Sequence, residues 1–159
     1  MQKMGSALIL IILGLIVIAF PLLGVVPLSV LTGFAVLFLG IGLLLTGATS
    51  MGESAAMGIV ELILGFLALI LGIGFIFNPH LFSFVAALFV FIAGIFLIIA
   101  GIVAIATKLT GTRWTGLVAL ILGIIYIIVA VYVANPFYLG MLIGLWLLIT
   151  GIIMLFQKD

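Results

Sequence analysis

Few side chains in this sequence could do chemistry, and Glu61 is the first of them. It lies inside the apolar run Ala55–Phe77, about two helical turns from its start. A carboxyl at membrane depth is costly, so it is expected either to be held or to be used. Three readings stand side by side. Glu61 reaches the interface or pairs with Arg113 or Lys108 to fix packing. It carries a proton- or cation-linked step. It contacts a partner. In each reading its side chain is expected to turn into the protein, where hydroxyls, carbonyls or those basic groups can meet it.

His80 is the second candidate. It follows Asn78-Pro79 at a turn, and histidine is the side-chain type that changes charge nearest neutral pH. It is read as a sensor of external acid or, more simply, as a solvated loop residue. Thr46, Thr150, Tyr126 and a few serines are the remaining groups that could line a polar path.

Other chemistry is excluded or unsupported. The chain has no cysteine, which removes disulfides, thiolate metal sites and thiol catalysis. No second histidine or acid stands at ligand spacing, so neither a metal nor a cofactor is expected. No nucleophile elbow, zinc-protease motif, phosphate loop or carboxylate pair occurs, and the protein is expected not to be an enzyme. A net charge of +1 gives no footing for nucleic acid.

The elements that must position these groups follow from composition. Hydrophobic residues make up 69% of the chain and charged residues 4%, against about 45–50% and about 25% in soluble domains. Four basic and three acidic residues cannot build a polar skin around 159 residues. The expected solvent is a bilayer, whose hydrocarbon takes about 20 apolar residues of helix to cross. Six such runs are legible: Met4–Leu23, Leu28–Ala48, Ala55–Phe77, Leu81–Ala106, Trp114–Ala134 and Phe137–Phe156. Between them stand GVVP, TSMGES, NPH, TKLTGTR and NP, turn signals because proline lacks an amide hydrogen and restrains the residue before it. Helices are the expected element, since backbone groups in lipid must be satisfied within the segment and no barrel-type alternation is present.

Charge then orients the spans. Lys3, Glu53, Lys108, Arg113, Lys158 and Asp159 all fall on one side of a six-span chain, and the opposite turns hold only His80. This positive-inside pattern predicts a multi-pass plasma- or inner-membrane protein with both termini cytoplasmic. Trp114, Tyr132 and Tyr138 fall near span ends, as an aromatic belt requires. The N-terminus has no cleavage signal and is read as a retained first span.

The spans repeat. Even spans carry GIGLLLTG from Gly40 to Gly47, GIFLIIAG from Gly94 to Gly101 and GLWLLITG from Gly144 to Gly151. Odd spans carry LIILG, LILG and LILG ending at Gly14, Gly65 and Gly123, at nearly equal distances before Pro27, Pro79 and Pro136. A period of about 50–58 residues marks an internal repeat. Repeats over roughly 5–50, 55–107 and 113–156 within a single transmembrane domain start on the same side, so they are parallel and suggest a pseudo-threefold bundle. Glycines at this spacing stay on one helix face and let backbones approach, with a gate or hinge as the lesser reading. Pro21 is expected to kink or end the first span. Gly140-x-x-x-Gly144 serves internal packing or a homo-oligomer.

Three glycine-bearing hairpins with proline near the tip and the return-span motif resemble the HdeD-like acid-resistance membrane proteins, over about residues 5–155. The resemblance implies a six-helix membrane protein with a stress or acid-resistance association, and no catalytic or binding residues are carried over from it. The reading is thus an all-α, polytopic membrane protein of three tandem helical hairpins. It is expected to be non-enzymatic and structural or stress-protective, with the bilayer as its medium and a homo-oligomer or membrane-protein partner. The alternative is a small channel or transporter working through Glu61.

Overall fold

The computed structural model describes residues 2–107 and 112–157. Its elements are all helical: α1 (Gln2–Ala19), α2 (Leu22–Ser50), α3 (Ala55–Phe77), α4 (Pro79–Ala106), α5 (Thr112–Val133) and α6 (Pro136–Phe156). Five of them are long and apolar enough to cross a membrane, whereas the apolar part of α1, Met4–Ala19, is shorter. The protein is therefore an all-helical, multi-pass membrane protein.

Proline and asparagine set two of the three tips. Asn78 is extended, with φ −137° and ψ 92°, as a residue before proline must be, and its side chain accepts from the backbone N–H groups of His80 and Leu81. Asn135 does the same for Phe137 N–H, and Pro79 and Pro136 occupy the first helical positions, where a missing N–H costs nothing. The first tip departs from the GVVP expectation. The chain turns at Phe20–Pro21, and Pro27 lies inside α2. Pro21 thus ends the first helix, as its position suggested. Pro27 is tolerated because only the bond from residue 27 to the Leu23 carbonyl is lost, near the helix start.

Packing does not follow the hairpins. The helices joined at each tip, α1/α2, α3/α4 and α5/α6, touch only slightly, while the extensive interfaces are α2/α3, α4/α5 and α1/α6. Each of these is antiparallel and built on small residues seven apart. A Cβ on Gly40 would stand 2.9 Å from the Gly65 carbonyl oxygen, and one on Gly65 would stand 3.0 Å from the Gly40 carbonyl. Gly33 meets Gly72 and Gly47 meets Gly58 in the same reciprocal way. Between α4 and α5 the rungs are Gly94 with Gly123 and Gly101 with Gly116, and the buried Ala87 and Ala130 continue the register. Between α1 and α6 they are Gly14 with Gly144 and Ala7 with Gly151, while Gly140 lies against the backbone of Pro21. Backbones this close exchange dispersion and weak Cα–H···O contacts, which hold helices together where apolar burial gives no driving force.

α2, α4 and α6 also touch one another, whereas among the described residues α1, α3 and α5 make no mutual contacts. The even helices therefore form the centre and the odd ones lie outside. Counted back from the tip prolines, Gly14 occupies the place of Gly72 rather than that of Gly65, one heptad from the register expected with Pro27. The large apolar side chains face outward, among them Leu31, Phe38, Phe89 and Val131. A surface so uniformly apolar suits lipid and would aggregate in water.

Candidate functional site

Polar side chains gather at the two ends of the bundle. At the end opposite the tips, Ser50 closes α2 and Glu61 stands two turns into α3. The Ser50 hydroxyl donates to Glu61 Oε2 at 2.9 Å, and both residues are half-buried. This follows from the α2/α3 register: a long side chain at 61 reaches back over the last turn of α2. Glu61 is thus held near the helix ends rather than in the buried centre. Its expected pairing with Arg113 is corrected. Arg113 is exposed at the start of α5, and among the described residues the two form no ion pair. Among the described residues α5 and α3 make no close contact, and Glu61 is engaged by Ser50 of α2 instead. Lys108, the other expected partner, lies outside the described residues, as do Lys158 and Asp159. Glu53 is exposed in the connection after α2.

His80 is exposed at the other end, in the first turn of α4, and its backbone N–H is taken by the Asn78 cap at 3.0 Å. The structure does not bring His80 and Glu61 together. The threonines offered for a polar path bond within their own helices: Thr46 to the Gly42 and Leu43 carbonyls, Thr150 to the Trp146 carbonyl at 2.7 Å. Tyr126 is 41% exposed, with its Cβ on the side of α5 that meets Gly94 of α4. Among the described residues no cluster of three histidines or acids could hold a metal. Gly40, Gly47, Gly94, Gly101, Gly144 and Gly151 are all buried against neighbouring backbones.

Two of the serines are buried in the bundle. Ser29 and Ser83 are fully buried, the only buried polar side chains among the described residues. Ser29 donates to the Phe75 carbonyl. That carbonyl lies in the last turn of α3, and the residue four positions on is Pro79, which has no N–H to give. Ser29 on the neighbouring helix replaces the missing donor. Ser83 stands four residues before Ala87 as Ser29 stands four before Gly33, yet its hydroxyl finds no partner. The shared offset from the first small rung is the sequence signal that marks them.

The model of a short repeat of unknown function, DUF308, matches this chain over residues 5–77 and 63–135. The first match takes in α1 to α3 and the second takes in most of α3 through α5, so each contains one complete tight pair. No curated protein and no solved structure matches the chain.

Proposed function

This chain belongs to the DUF308 family, and on that premise we propose that it is a non-enzymatic, structural component of a cell membrane with a stress-protective role. The observation that carries the reading is the close, small-residue packing within the three helix pairs. Beyond Ser29 and Ser83, no polar side chain is buried among the described residues, and Glu61 is engaged by Ser50 at one end. A transport path would need polar groups or water between that end and the tips. The acid-resistance association comes from the resemblance of the glycine hairpins to HdeD-like proteins. All six helices span in this reading, the three repeats are related by a pseudo-threefold axis along the membrane normal, and both termini are cytoplasmic by the placement of the basic residues. A homo-oligomer or a membrane-protein partner completes the proposal.

The test is ion and proton flux in proteoliposomes of the full chain, with Glu61→Gln beside it. The expected result is leakage equal to that of protein-free vesicles under a pH gradient for both. Flux that depends on Glu61 would replace this reading with a channel or transporter.

A further inference from the structure

The third hairpin differs from the second in a way that leaves room for a ligand. In the second, Phe75 and Phe82 flank Asn78-Pro79 and meet edge to face, with ring centroids 5.5 Å apart and planes at 84°. Phe75 is 5% exposed, so one ring of this pair is buried. In the third, Tyr132 and Tyr138 flank Asn135-Pro136 in the same arrangement, at 5.5 Å and 86°. Phe75 and Tyr132 each stand four residues before their tip proline. The tyrosines, however, are 53% and 45% exposed. Below them a cavity of about 340 Å³ opens between α5 and α6, floored by Ile18 of α1 and walled by Val129, Leu142 and Leu145. That volume falls in the range of small-ligand sites, about 300–1,000 Å³.

We propose that this groove binds one acyl chain of a phospholipid from the leaflet at the tip end, with the Tyr132 and Tyr138 hydroxyls facing its phosphate–glycerol region. The chemistry is matched along its length. The walls are hydrocarbon from Leu145 up to the tyrosines. Tyr132 and Tyr138 stand where α5 ends and α6 begins, the depth at which tyrosines meet headgroups. From Tyr138 to Leu145 the helix rises about 10 Å, roughly a third of the hydrocarbon thickness, so the groove takes the upper part of one tail. A second copy of this chain fits it poorly. Helices associate in lipid through small residues, and those of α5 and α6 are already spent inside the bundle: Gly116 on Gly101, Gly123 on Gly94, Gly140 on Pro21 and Gly144 on Gly14. The proposal rests on membrane residence alone and is independent of the structural role given above.

Native mass spectrometry of the full chain, released from a mild detergent after incubation with palmitoyl-oleoyl phosphatidylglycerol or with the matching diacylglycerol, tests it. The wild type is expected to retain one phospholipid per chain. Leu142→Trp, which fills the groove, should lower that occupancy about tenfold or more, while Phe38→Trp on the outer face of α2 leaves it unchanged. Tyr132→Phe with Tyr138→Phe keeps both rings and should weaken phospholipid retention several-fold, as loss of two hydrogen bonds would, without weakening that of diacylglycerol. Three results would overturn the proposal: no lipid retained by the wild type, retention in Leu142→Trp and in the double tyrosine variant equal to that of the wild type, or a second copy of the chain found in place of the lipid.

Discussion

Replacing Gly40 and Gly42 separately by alanine puts the same methyl group on the same helix in two opposite environments. At position 42 a Cβ meets nothing within 4 Å. The substitution there should stabilise by about 1 kcal/mol through helix propensity alone. At position 40 the same Cβ stands 2.9 Å from both the Gly65 carbonyl oxygen and the Leu69 amide nitrogen. Both are backbone atoms, so neither can swing away. Reaching ordinary contact means parting α2 from α3 by about 0.5 Å, and a gap of that size forfeits roughly a quarter of each contact's dispersion energy or more. Overpacking of this kind costs about 1–3 kcal/mol. Because the propensity gain is common to both sites, the difference between the two variants isolates that cost. The assay is reversible denaturation in mild detergent, by circular dichroism or tryptophan fluorescence. Gly40→Ala should be the less stable of the two by about 1–3 kcal/mol. Equal stabilities would refute the inference that Gly40 is the contact through which α2 holds α3.

The remaining predictions use the same preparation. Ser29→Ala should destabilise by about 1–3 kcal/mol, since it leaves the Phe75 carbonyl buried without a donor, whereas Ser83→Ala removes a hydroxyl that has no partner and should be neutral or mildly stabilising. Equal losses at both would show that Ser83 is bonded after all. Glu61→Gln keeps an oxygen to accept from Ser50, so its thermal midpoint should stay within a few degrees of the wild type, about 0.5 kcal/mol at most. Reporter fusions after Lys158 and within the turn Asn78–His80 should report opposite sides of the membrane, and identical locations would sink the six-span arrangement.

How far the fold could be read ahead depended on which physical signal carried it. Helix existence followed from hydropathy and length, because lipid leaves no alternative way to satisfy the backbone. Asn78-Pro79 and Asn135-Pro136 were legible as tips because the cap and the restrained residue are local. The first tip was misplaced. Pro21 and Pro27 offer similar local chemistry, and what sets Pro21 apart is a contact distant in sequence, the seat of its backbone on Gly140. The polar ends were less legible. Glu61 stood out by type, but its partner did not, since Ser50 lies eleven positions earlier across a turn, and nothing in composition ranks it above Arg113. Ser29 was hidden for the opposite reason. A serine in an apolar helix is unremarkable until the carbonyl it serves is known to lack its own donor.

The partner choice was the least legible feature, and its physical reason is the repeat itself. Every even helix presents small residues seven apart and every odd helix presents a matching row, so by side chains alone any even helix could seat on any odd one. What decides is the connection. The turn at residues 51–54 joins α2 to α3 and residues 107–111 join α4 to α5, which makes neighbours of helices from successive repeats. The tips join helices whose small faces point elsewhere, and so leave them barely touching. Two faces then remain unmatched, those of α1 and α6, and they fit because each is short by the same rung. α1 offers Ala7 and Gly14 where α3 offers Gly58, Gly65 and Gly72, and α6 offers Gly144 and Gly151 where α2 offers Gly33, Gly40 and Gly47. The short apolar part of α1, Met4–Ala19, is thus one half of a matched pair. α1 and α6 thus form the third tight pair beside the two that the connections make.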